Sequence, residues 1–209
     1  MNAPHYSPQT TALVLIDVLN DFLAEDGKLH ASIEPMLHQT AFESHVAQLL
    51  EGARAAGLKI FFAPHGTDEH SFDDIKHVHP RMQWGIDHEV LRKGTYGADF
   101  YAPFRPRDGE IVVSHHRMFD SFIGTDLEAQ LHTHRIENVV LAGLTSQTCI
   151  EGTGRHALEA GFHVTFIKDA VADFTEAAHQ AAVNISYPTF GHAVLTVAEF
   201  LESVGASVA

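Results

Sequence analysis

The chain has 209 residues, 45% of them hydrophobic and 19% charged, with 27 acidic against 13 basic side chains and a formal net charge of −14. That charge excludes a face built for nucleic acid or for an anionic membrane, both of which demand clustered Lys and Arg, and no apolar run is long enough to span a bilayer. The length suits one α/β domain over 1–209, and a single cysteine, Cys149, rules out an intrachain disulfide and fits a reducing, cytoplasmic setting.

Residues 1–6 lack the basic segment and apolar stretch of an export signal. The first predicted strand, 11–16, is apolar throughout and runs into Asp17. A carboxylate at the end of a buried strand either caps the next turn or serves as a general acid and base. In 42–56, Val46, Leu49, Leu50 and Ala53 recur at helical spacing, and Gly57 stands where a helix stops. A second strand follows at 58–63. The stretch 65–109 breaks the rhythm with Pro80, Pro103, Pro106 and scattered aromatics. A loop of that length inside a compact domain reads as a lid or binding loop, in which Trp84, Tyr96, Phe100 and Tyr101 are candidates to line an apolar pocket.

His65, at the end of the second strand, is a candidate substrate contact. Asp68 and His70 share an Asp-x-His spacing, but an acidic, histidine-rich loop reads as solvated surface, so neither a metal nor another cofactor is expected. A third strand is predicted at 110–114, and Thr125 with Glu128 forms the pattern of a capping box for a helix over 126–134. The fourth strand, 138–142, leads through a turn to Cys149 and a helix over 150–160. Unpaired N–H groups at a helix start can lower a thiol pKa and bind an oxyanion. Gly152 and Gly154 read as close-packing positions, because no Lys-Ser/Thr follows to complete a phosphate loop. Strands at 162–167 and 193–196 and a capping box of Thr196 with Glu199 complete the chain. This alternation predicts an α/β, three-layer αβα sandwich around a six-stranded, mainly parallel sheet, with reactive residues beyond the carboxyl ends of its strands.

Three segments carry a resemblance over nearly the whole chain: LVLIDVLNDF with Asp17, HRMFDSFIGTDLEAQL from His116, and VVLAGLTSQTCIEGTGRHALEAGFHVTFIKDA around Cys149. Together they resemble the isochorismatase-like cysteine hydrolases, a family that includes nicotinamidases, N-carbamoylsarcosine amidases and ureidoacrylate hydrolases. The resemblance implies an Asp, Lys and Cys triad, with Asp17 and Cys149 in the first and third places. The lysine is missing, and His116 stands there, six residues before Phe122; of the lysines elsewhere, Lys93 is the one placed to reach the site. His116 would act either as an imidazolium or as a neutral hydrogen-bonding group.

The resemblance further implies a cis peptide between Leu144 and Thr145, and an oxyanion hole from the backbone N–H groups of Thr145 and Cys149. Substrate contacts are expected from Phe22, His65, Trp84 and Phe122, and the assembly is expected to be a homo-oligomer, dimer or tetramer, with contacts near the long excursion. The implied reaction is hydrolysis of a C–N bond in a small amide, carbamoyl or ureido compound through a thioester. The alternatives are vinyl ether hydrolysis of the isochorismate type, a noncatalytic small-molecule binder, and a redox sensor using Cys149 alone.

Overall fold

The computed structural model describes residues 6–206; residues 1–5, read above for an export signal, and 207–209 lie outside that range. Strand β1 (Thr11–Ile16) is fully buried, because alternate residues face two different cores. Leu13 and Leu15 join one cluster while Ala12, Val14 and Ile16 join another. The helices that follow β1 are α1 (Asn20–Leu23), α2 (His30–Gln39) and α3 (Phe42–Ala55). After β2 (Lys59–Ala63) come α4 (Pro80–Asp87), β3 (Ile111–Val112) and α5 (Leu127–Thr133). The remaining elements are β4 (Asn138–Leu144), α6 (Glu151–Glu159), β5 (His163–Ala172), α7 (Glu176–Ala181), α8 (Tyr187–Phe190), β6 (Ala193–Leu195) and α9 (Val197–Ser203).

The six strands pair in the order β3-β2-β1-β4-β5-β6, and every pairing is parallel. Helices α2, α3 and α9 pack on one face through Ile33, Leu37, Val46, Leu49 and Phe200, and α5 and α6 on the other through Leu127, Leu131 and Ala157. This is the three-layer αβα sandwich, with a sheet that is wholly rather than mainly parallel. Its strand order reverses direction between β1 and β4, so the crevice beyond their carboxyl ends is where such a sheet binds ligands. Gly143 lets these two strands meet: a Cβ there would stand 2.0 Å from the Ile16 carbonyl oxygen, and its φ is +117°.

Several elements depart from their predicted bounds. The third strand shrinks to Ile111–Val112, because Glu110 turns aside to receive Arg54 at 2.7 Å while Ser114 is bonded to Asp126. The fifth extends to Ala172, past a register shift opposite Leu141 and Gly143. The box of Thr196 and Glu199 forms; that of Thr125 and Glu128 does not, since the Thr125 hydroxyl accepts from the Leu127 N–H instead. The excursion holds a real helix, α4, which starts where Pro80 follows His79, whose ring accepts from the Arg81 N–H. It is tied to the end of β1: Asp21 accepts from the Leu91 N–H at 2.6 Å, and the Asn20 amide donates to the Tyr96 carbonyl at 2.9 Å. Among the described residues no helix is long and apolar enough to cross a membrane.

Candidate active site

The strand ends converge on one point. Asp17 leaves β1 with φ of 56°, a left-handed conformation that Asp tolerates better than most residues, and its side chain is buried. From β2, the backbone N–H of His65 donates to Asp17 Oδ1 at 2.6 Å. The chain after β3 runs alongside, with the His116 N–H donating to the Pro64 carbonyl and the Gly66 N–H to that of His116. This pairing delivers the His116 ring to the same carboxylate, Nε2 standing 3.0 Å from Oδ1. From β4, the Leu144–Thr145 peptide is cis, and residues Ser146–Ile150 form a π-helical turn that carries Cys149. That turn is fixed from below: Asp173 accepts from the Gln147 N–H at 2.8 Å, the Tyr187 hydroxyl donates to the Ser146 carbonyl at 3.1 Å, and Ser146 is bonded to His179 at 3.0 Å. A carboxylate oxygen of Asp17, a ring nitrogen of His116 and the Cys149 Sγ lie within 4.8 Å of one another.

The hydrogen bonds decide the charge on His116. Its Nδ1 stands 2.9 Å from the Met118 carbonyl, which can only accept, so Nδ1 carries a proton. Its Nε2 faces a carboxylate that already accepts the His65 N–H, so it carries one as well. His116 thus stands beside the Asp17 carboxylate in a geometry that suits an imidazolium, at the position where the resembled family carries lysine. Burial pushes its pKa down, but the charge and hydrogen bond of Asp17 outweigh burial and raise it above the ordinary histidine value. Burial likewise pushes Asp17 up, and the His116 charge and hydrogen bond prevail and hold it below the usual carboxylate range. A buried ion pair stabilises a fold little compared with apolar residues of the same volume, so this one is better explained by chemistry than by stability.

The thiol behaves opposite to the expectation from its helix-start position. Burial and the facing Asp17 carboxylate raise the Cys149 pKa well above the ordinary value, and the hydrogen bonds of Thr148 and Thr145 only partly offset this. The resting sulfur is a neutral thiol that points to the Met118 carbonyl at 3.8 Å and lies within 4.8 Å of an Asp17 carboxylate oxygen. Asp17 Oδ2, buried and without a hydrogen-bond partner among the described residues, is free to receive a proton. His65 is neutral at physiological pH, since burial and the His116 charge lower its pKa to about 4, and its Nδ1 is buried without a partner.

Asp17 and Cys149 stand at the floor of a cavity of about 280 Å3, walled by Phe22, His65, Phe119, Thr145, Thr148 and Phe174 and roofed by Arg81, Met82, Trp84 and Gly85 of α4. Of the expected substrate contacts, Phe22, His65 and Trp84 line it. Phe122 does not: it lies beneath, stacked on His156 with ring centroids 4.6 Å apart, and Phe119 takes the place at the wall. The signal for Phe119 was present in the HRMFDSF run, three residues before Phe122, but strand-end geometry selects between them. Gly152 makes room there, since a Cβ would stand 2.1 Å from the Phe119 carbonyl oxygen. Tyr96 is exposed, and Phe100 and Tyr101 pack on the core. Lys93 does not reach the site; its ammonium is 3.0 Å from Asp68.

That pairing also bears on metal. Asp68 is held by Lys93 and Ser71, His70 is bonded to Asp73 at 3.0 Å, and an ammonium beside the carboxylate repels a second cation, so this pair does not fit a metal site. Dialysis against a strong chelator is expected to leave the activity of the protein unchanged, and a loss restored by zinc would overturn that.

A family model described as the isochorismatase domain matches residues 11–199. The chain is 24% identical over 211 residues to a ureidoacrylate amidohydrolase of Pantoea ananatis, covering 96% of this chain and 84% of that protein. A cysteine hydrolase of Pseudomonas syringae pv. phaseolicola superposes with a TM-score of 0.78 at 19% identity, covering 98% of this chain and 99% of the other. A pyrazinamidase/nicotinamidase of Streptococcus mutans superposes with a TM-score of 0.70 at 28% identity, covering 89% and 100%.

Proposed function

The chain belongs to the isochorismatase family, and from that premise we propose that it is a cysteine-dependent hydrolase of a small amide, carbamoyl or ureido compound. The observation that carries the proposal is the buried cluster of Asp17, His116 and Cys149, of which Asp17 and Cys149 line the cavity and His116 stands behind Asp17. The relatives named as ureidoacrylate amidohydrolase and as nicotinamidase support the C–N bond as the target.

In the proposed reaction Cys149 Sγ attacks the carbonyl carbon while Asp17 takes the thiol proton. A thiol held neutral requires that transfer to accompany attack, because no standing thiolate is available. The tetrahedral oxyanion is bound by the backbone N–H groups of Thr145 and Cys149. Collapse breaks the C–N bond, Asp17 passes its proton to the leaving nitrogen, and a thioester remains. Water, deprotonated by Asp17, attacks the thioester; its collapse releases the acid, and the thiol regains the proton. Throughout, the His116 imidazolium offsets the negative charge shared by carboxylate, sulfur and oxyanion, and holds Oδ1 so that Oδ2 faces the reacting atoms.

The test is ammonia release from a panel of amides, N-carbamoyl amino acids and ureido acids, by the wild type and by site variants in parallel. Release that survives loss of the thiol would overturn the proposal. The histidine makes a separate prediction. Activity requires His116 charged, so it is lost as pH rises through the raised His116 pKa, while the lowered Asp17 pKa keeps the acid limb below the ordinary carboxylate range. A lysine, with its ordinary pKa near ~10.4, keeps its charge further. His116→Lys is expected to move the alkaline limb of kcat/KM upward by about one pH unit or more; an unmoved limb would remove His116 from the reaction.

A further inference from the structure

The roof of the cavity carries a cation that the chemistry above does not use. Arg81, in the first turn of α4, lines the cavity and is exposed. Arg54, Arg92, Arg107, Arg117 and Arg155 are each held by a carboxylate. Arg81 has no ion pair, and its guanidinium makes no hydrogen bond, among the described residues. It lies instead over the Phe174 ring, 5.6 Å from the centroid, which keeps it against the wall.

The charge inside the cavity follows from a short census. Asp17 is offset by the imidazolium directly behind it, His65 is neutral near pH 7, and the thiol is neutral. Among the described residues Arg81 is the one Arg or Lys that lines the cavity, and the one acidic lining residue, Asp17, is paired with His116 at 3.0 Å, in a protein whose overall charge of −14 would otherwise repel an anion. A cavity of about 280 Å3 has room for a small molecule. Cys149 and Arg81 line the same cavity, so a substrate with its scissile carbonyl at Cys149 shares that cavity with a planar, forked guanidinium that matches a carboxylate.

We infer that Arg81 is a specificity residue that binds a carboxylate at the outer end of the substrate, so that the substrate class is a small ureido or carbamoyl acid rather than a neutral amide. This deepens the hydrolase reading and rests on it for the identity of the scissile group, not for the anion site.

The test compares 3-ureidopropanoate with the neutral 3-ureidopropanol as substrates and, by calorimetry, as ligands of the wild type and of Arg81→Met and Arg81→Lys. The wild type is expected to favour the acid at least tenfold in kcat/KM and in binding. Arg81→Met is expected to collapse that ratio at least tenfold, mostly through KM, because the lost contact is equal in ground and transition states. Arg81→Lys is expected to recover part of it. No preference for the acid in the wild type, or equal losses on both compounds in Arg81→Met, would overturn the inference. Preferential binding of the acid without hydrolysis of either compound would uphold the anion site while counting against the hydrolase reading.

Discussion

Cys149→Ala is expected to abolish turnover, by roughly 10^4-fold or more in kcat, as removal of the nucleophile from a catalytic unit does. Cys149 is 7% exposed and loss of its sulfur deletes little packing, so the melting temperature should stay within a few degrees of the wild type. That separation of effects matters, because Cys149 belongs both to the cavity floor and to the core cluster beneath it. A thermal melt alongside the ammonia assay distinguishes lost chemistry from lost fold. Retained turnover in Cys149→Ala would end its role as nucleophile and would favour a reaction that needs only an acid, such as vinyl ether protonation.

Asp17→Asn is expected to cost roughly 10^3-fold or more in kcat/KM, within the range for loss of a positioned general base in a catalytic unit. Asparagine keeps the shape and can still accept the His65 N–H, so the geometry is preserved while the proton acceptor is lost. The variant also removes the charge that does most to raise the His116 pKa against burial, leaving the smaller contributions of the Met118 carbonyl and Asp120. His116 should therefore become neutral near physiological pH, observable as a downward shift of its titration by NMR, with about 1–3 kcal/mol of stability lost through the disrupted buried bond. Wild-type rates in this variant would remove Asp17 as the base.

The scaffold of this site was legible because it rests on local pattern. An apolar run ending in Asp17 marks β1, and a lone cysteine after a second apolar run marks the turn beyond β4. The charge of His116 was not, since it depends on the Met118 carbonyl and on a carboxylate 99 residues away in the chain. The raised pKa of Cys149 is not legible for the same reason: helix-start dipoles are visible in sequence, whereas burial and the facing carboxylate are tertiary facts. Phe119 rather than Phe122 lines the cavity, because spacing marks a segment but not which of its aromatics turns inward. The lid helix α4, with Arg81 and Trp84, was hidden in a stretch of prolines and glycines whose path is fixed by Asp21 and Asn20, outside the stretch itself.

The shared dependence of these residues on one covalent step can be tested by partitioning. A ureido or amide substrate that the wild type hydrolyses is turned over in increasing hydroxylamine, and the products are separated by mass spectrometry. A thioester on Cys149 predicts that product divides between the acid and the hydroxylamine adduct, in a ratio set by the hydroxylamine concentration, and that neither forms with Cys149→Ala. Acid as the sole product at every concentration would contradict a thioester intermediate and, with it, the roles assigned here to Cys149 and Asp17.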